Sequence, residues 1–144
     1  MSNSVLVAVD GSDGSSRALQ YAIERAKLGG AKIVLSYVIE WSPYSFNTPE
    51  ENAERHMRRE QEIEKATTSV VAPAAALLKS ENIDCETVVV HGPPAETLIK
   101  LAEKHDVKQI VIGRRGQSGI KNLIFGSVAG SLIQTSPVPV VVVP

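Results

Sequence analysis

One stretch of this chain has residue types and a spacing that imply chemistry: Gly113-Arg-Arg-Gly116, then nine residues, then Gly126-Ser127. It leaves an apolar, β-branched run at Gln109–Ile112 and enters a helix-prone segment at Gly126. Successive backbone N–H groups there can curl around an anion that also meets a helix N-terminus. A side chain at Gly113 or Gly116 would hold phosphate oxygens away from those amides, and glycine accepts positive φ without cost. Ser127 can offer its hydroxyl and amide to a phosphate, or serve as a routine helix cap. Arg114, Arg115 and Lys121 can screen phosphate charge, or be solvated surface cations. The plain alternative for the whole stretch is a surface loop with a cap glycine at each end.

Other constellations fail. The chain has no Gly-x4-Gly-Lys-(Ser/Thr) and no Gly-x-Gly-x-x-Gly, which argues against a kinase or a Walker-type motor. Gly116-Gln-Ser118-Gly119 is one residue short of a nucleophile elbow, so Ser118 reads as a loop residue. His56, His91 and His105 sit on separate segments without metal-ligand spacing. The glycine loop carries no carboxylate or histidine to activate water, so no catalytic residue is assigned and hydrolysis of any bound phosphate compound is expected to be slow at best.

The elements that must position the loop follow from periodicity. Strands are expected at Val5–Val9, Ile33–Val38, Thr87–His91, Gln109–Ile112 and Val138–Val143. Several are apolar on both faces, as in a parallel sheet covered by helices, and their alternation with helical segments indicates a doubly wound α/β domain. A helix from Ser12 to Leu28 opens on Asp10-Gly11-Ser12, carries Ala18, Leu19, Ala22, Ile23 and Ala26 on one stripe, and stops at Gly29-Gly30. Pro93-Pro94 starts another, and Gly126 to Gln134 forms the last. In the long middle segment, Glu51 to Ser80, a kink or break is expected near Pro73. Ile39 to Pro49, with Trp41, Tyr44 and Phe46, is expected to be a long loop that either covers a ligand or simply packs.

The bulk numbers exclude more than they propose. With 144 residues and 43% hydrophobic content the chain is sized for a single domain, 1–144, with a real core. A net charge of −1 removes the basic footprint of a dedicated nucleic-acid binder, and six aromatic residues leave few platforms for base stacking. Cys85 is the only cysteine, so neither an intrachain disulfide nor a thiolate zinc site can form, which suits a reducing compartment. No signal-peptide pattern and no apolar run of membrane-spanning length is present, so a cytoplasmic protein is expected.

Gly113-x2-Gly116-x9-Gly126-Ser127 resembles the ATP-binding signature of the universal stress protein family. Val5-Leu-Val-Ala-Val-Asp10 is similar to that family's opening strand, and Ser136-Pro-Val-Pro-Val140 to its closing one. The resemblance covers the whole chain, with arginine at 114 where small residues are common. It implies a Rossmann-like, adenine nucleotide alpha hydrolase-like fold: an open five-stranded parallel sheet of order 3-2-1-4-5, whose switch point would bring Asp10 and Gly113 to one crevice. It further implies ATP with Mg or Mn, held by Asp10, Gly11, Val38, Gly113, Arg114, Arg115, Gly116, Ser118, Gly119, Gly126, Ser127 and Val128. Asp10 would sit near ribose or phosphates, through a cation or directly, unless it is only a cap for the first helix. Backbone around Val38 would meet adenine. The resemblance also implies a homodimer pairing through the Val138–Val143 edge, a nucleotide-dependent regulatory role, and a regulated protein partner. A partner-binding module indifferent to nucleotide is the alternative.

Overall fold

A computed structural model describes residues 3–40, 48–114 and 127–144. Five strands, β1 (Ser4–Ala8), β2 (Lys32–Glu40), β3 (Cys85–Gly92), β4 (Gln109–Gly113) and β5 (Val140–Val143), form one sheet of order β3-β2-β1-β4-β5. Every pairing is parallel, and the register runs through Val5↔Ile33, Val38↔Val90, Leu6↔Ile110 and Ile112↔Val142. The expected doubly wound α/β order is the one observed.

Parallel strands need covered faces, and two apolar clusters supply them. On one face Val5, Val7, Ile33 and Leu35 pack with α1 (Asp13–Gly29) and α3 (Ala72–Ser80). On the other Leu6, Val34, Ile110 and Ile112 pack with α4 (Pro94–Lys104) and α5 (Ser127–Thr135). The five α1 stripe residues are all buried. Each fully buried Leu, Ile or Val contributes about 1.5–3 kcal/mol, so these faces hold the sheet edge that carries the loops.

Helix ends follow local rules. Ser12 caps α1, and Gly30, in the left-handed region at φ 69°, ends it with its N–H donated to Ala26 O. Pro94 occupies the first turn of α4, where its missing N–H costs nothing. Thr48 and Glu51 form a capping box at the start of α2 (Pro49–Ala66).

Four expectations change. β2 runs on through Ile39 and Glu40, which pair with His91 and Gly92, and Pro49 already belongs to α2, so the connection is shorter than Ile39–Pro49. Of the kink or break expected near Pro73, the chain shows no break into a loop but an irregular turn just ahead of it. A π-helical turn, Thr67–Val71, joins α2 to α3, with Ala72 N–H donating five residues back to Thr67 O. Widening the turn by one residue accommodates a proline that cannot donate and whose ring crowds the preceding turn. β5 begins at Val140 rather than Val138, because Ser136 and Val138 close a turn on each other through the serine hydroxyl, and Pro139 has no N–H for the ladder. β3 extends beyond Thr87–His91 at both ends.

Candidate functional site

A cavity of about 340 Å³ opens at the carboxyl edge of the sheet. It is built from the ends of β1, β2 and β4 and the N-termini of α1, α4 and α5, around the switch point between β1 and β4. Its volume falls in the range of small-molecule sites. Three helix N-termini meet at the cavity, and the partial positive charge of a helix N-terminus favours an anion.

Asp10 lies where β1 ends. Its Oδ1 accepts from the Ser12 N–H at 2.9 Å and from the Ser12 hydroxyl, while Ser12 Oγ accepts from the Ser15 N–H at 3.1 Å. Ser15 Oγ donates to Ser12 O at 3.1 Å and accepts from the Asp10 N–H at 3.2 Å. The cap of α1 is therefore Ser12, and Asp10 fixes that cap from outside the helix while also lining the cavity. Gly11, at φ 82°, makes the turn between them and is not part of the lining.

Gly113 also lines the cavity, and packing adds its own reason for the missing side chain. A Cβ there would stand 2.6 Å from Gly14 O and 2.7 Å from Gly14 C. Backbone cannot yield as a flexible side chain can, so glycine at 113 is what lets α1 approach β4. This contact gives Gly113 a packing reason to lack a side chain, beside the close approach of a phosphate that the sequence suggests. Arg114 donates its backbone N–H to Val143 O at 2.7 Å, and its exposed side chain lines the cavity. Ser127 and Val128 open α5 against the same space. Arg115, Gly116, Ser118, Gly119, Lys121 and Gly126 lie outside the described residues.

Opposite the Arg114 and Ser127 end, Val38 forms an apolar wall with Pro94 and Leu98, and Ile39 also lines the cavity. Tyr37, Glu40, Pro94 and Leu98 were not singled out by sequence as site residues. Alternation from Val38 reaches Glu40, and the helix start at Pro94 marks the other edge, so a faint signal existed for both. Burial pushes the Tyr37 phenol up, and the Asp10 and Glu62 carboxylates push the same way, so it remains a hydroxyl at neutral pH.

The histidines lie away from the cavity lining. His91 Nε2 meets Glu62 Oε2 at 2.8 Å, His56 pairs with Glu60 at 3.0 Å, and His105 Nδ1 lies 3.4 Å from Glu86 Oε2. Among the described residues no group of three metal-capable side chains occurs, and no helix is long and apolar enough to cross a membrane.

The family model described as the universal stress protein family matches residues 1–144. The chain belongs to the universal stress protein family. Universal stress protein YxiE of Bacillus subtilis is 31% identical across 99% of both chains. Universal stress protein UspA from Lactobacillus plantarum has the same fold, with a TM-score of 0.85 at 23% identity over 99% of this chain and 97% of its own. A universal stress protein from Archaeoglobus fulgidus, solved in complex with dAMP, has a TM-score of 0.62 at 23% identity over 100% and 98% of the two chains. One solved in complex with cAMP has 0.70 at 22%, over 99% and 97%.

A family nucleotide is compatible with the groups present. Arg114, the Ser127 hydroxyl and the amides opening α5 suit a phosphate, and the wall of Val38, Pro94 and Leu98 suits a flat apolar base.

Proposed function

We propose that the carboxyl-edge cavity binds an adenine nucleotide, ATP with Mg or Mn, and that this universal stress protein acts as a nucleotide-dependent regulator in the stress response. The observation that carries the reading is one cavity with an anion-attracting end and an apolar end, sited at the sheet's switch point. Relatives of the same fold solved with dAMP and with cAMP support the adenine ring. Gly113, Arg114, Ser127 and Val128 would hold the phosphates together with Arg115, Gly116, Ser118, Gly119 and Gly126. Asp10 and Gly11 would lie toward the sugar, and Val38 against the base. A metal ion would arrive on the phosphates. The bound nucleotide would supply a charge that changes the surface around the loop, and the chain's own residues orient it.

We further propose a single domain over 1–144 and a dimer formed by antiparallel pairing of two β5 edges, since among the described residues β5 is bonded on one side only, to β4. Mass spectrometry of small molecules released from freshly purified, denatured protein tests the ligand: adenine nucleotide is expected, and an empty site that stays empty under excess Mg-ATP refutes the reading. Turnover of ATP near 1 s⁻¹, an ordinary enzyme rate, would refute the regulatory role.

The second reading, a partner-binding module indifferent to nucleotide, draws on the structural duties found for Gly113 against Gly14 and for Asp10 on Ser12. It predicts unchanged partner binding when Arg114→Glu weakens nucleotide.

A further inference from the structure

Glu40 closes β2 and pairs with Gly92. Its side chain is exposed and lines the cavity, and among the described residues it has no hydrogen-bond or ion-pair partner. Its direction follows from strand alternation. Val34 and Val38 pack in the cluster beneath α4 and α5, while Leu35 and Tyr37 pack in the opposite one, so Glu40 continues the Val38 face. That is the face on which Leu98 and Ala129 wall the cavity.

The strand order also orders a ligand. The anion-attracting groups, Arg114 and Ser127, stand over β4 and α5, Asp10 over β1, and Val38 with Glu40 over β2. From β4 to β2 is two strand spacings, about 10 Å, comparable with the length of a nucleoside. A nucleotide with its phosphates at Arg114 thus has its sugar near Asp10 and the outer rim of its base near Glu40. An ionised carboxylate only accepts hydrogen bonds. The rim group that answers it is a donor on the base.

We infer that Glu40 is the base-reading residue of the cavity, its carboxylate accepting from the exocyclic amino group of adenine beside the apolar wall of Val38 and Leu98. This rests on the nucleotide reading above. A carboxylate acceptor at that rim favours a purine that carries an amino group over one that does not.

The test compares ATP with purine riboside 5′-triphosphate, which carries hydrogen where adenine has its amino group. Both are titrated calorimetrically with Mg²⁺ into wild type and Glu40→Ala. Removing a negative charge alters the affinity of both nucleotides alike, so the ratio is the readout. Wild type is expected to prefer ATP by about tenfold or more, the usual worth of a hydrogen bond to a charged group. Glu40→Ala is expected to bring the ratio close to one, with Glu40→Gln between. An unchanged ratio in Glu40→Ala, with ATP still bound by wild type, overturns this inference and leaves the nucleotide reading standing. Wild type that binds neither nucleotide overturns both. An unaltered melting temperature is expected for Glu40→Ala, since the side chain has no partner to lose.

Discussion

α1 and α2 leave the same edge of the sheet, after β1 and β2, and each starts on a hydroxyl cap, Ser12 and Thr48. There the likeness ends. α1 buries seven of its residues, and its first turn contributes Ser12 and Ser15 to the cavity. α2 buries Ala66 alone and contributes none. α2 is held by its capping box, by i,i+4 pairs such as Glu54–Arg58, and by Glu62 on His91 of β3. Pairs of that kind contribute only a few tenths of a kcal/mol each. One helix is fixed by packing and fixes the site; the other is maintained by local terms at its flank.

The sharpest way to break this contrast is to remove matched side chains. Ile23→Ala in α1, where the residue is 1% exposed, is expected to cost about 2–5 kcal/mol in chemical denaturation. Ile63→Ala in α2, which is only half-buried, is expected to cost far less. Equal losses would abolish the distinction.

Gly113→Ala comes next. Its Cβ would press on the Gly14 backbone, and overpacking of this kind costs about 1–3 kcal/mol. Thermal melting should fall by several degrees with or without nucleotide, whereas a glycine that served ligand contact alone would leave the melting point of nucleotide-free protein unchanged. Loss of nucleotide binding in a bulkier variant at 113 is therefore uninformative by itself.

Ser12→Ala removes the cap and the hydroxyl that donates to Asp10 Oδ1, while the backbone N–H at 12 remains, with an expected cost of about 1 kcal/mol to global stability. Thr48→Ala removes an equivalent cap, yet should register chiefly as faster amide exchange in the first turns of α2. A large drop in global stability for Thr48→Ala would show α2 to be as integral as α1.

Much of this was legible in advance, for identifiable reasons. The β-branched runs, the α1 stripe, Gly29-Gly30 and Pro94 are local signals, and local physics made the elements. What escaped was non-local. No spacing in the sequence announces that residue 113 touches residue 14. Propensity alone reads Pro73 as a kink or break, because it does not include the option of a wider turn. The site was half visible: Asp10, Val38, Arg114, Ser127 and Val128 line one cavity as the strand order required, while Tyr37, Glu40 and Leu98 became site residues only once strands and helices met.

The smallest effect lies between the two helices. Tyr37 stands near Asp10 on one side and Glu62 on the other, and its folded pKa is raised above the unfolded value of 10.0, chiefly by burial. The native state then holds the phenolic proton longer than the unfolded chain, so this contribution is intact at neutral pH and is lost as pH rises past about 10. Tyr37→Phe should flatten the alkaline limb of stability against pH, and a limb as steep as wild type's would contradict that placement.

The most direct test of the whole account is amide hydrogen exchange with and without saturating Mg-ATP. Protection is expected at Asp10–Ser15, at Val38–Glu40 and in the first turn of α5, with α2 unchanged outside its contact at Glu62. Protection centred on α2, or none anywhere, would contradict a nucleotide site at the sheet's carboxyl edge between the ends of β1, β2 and β4.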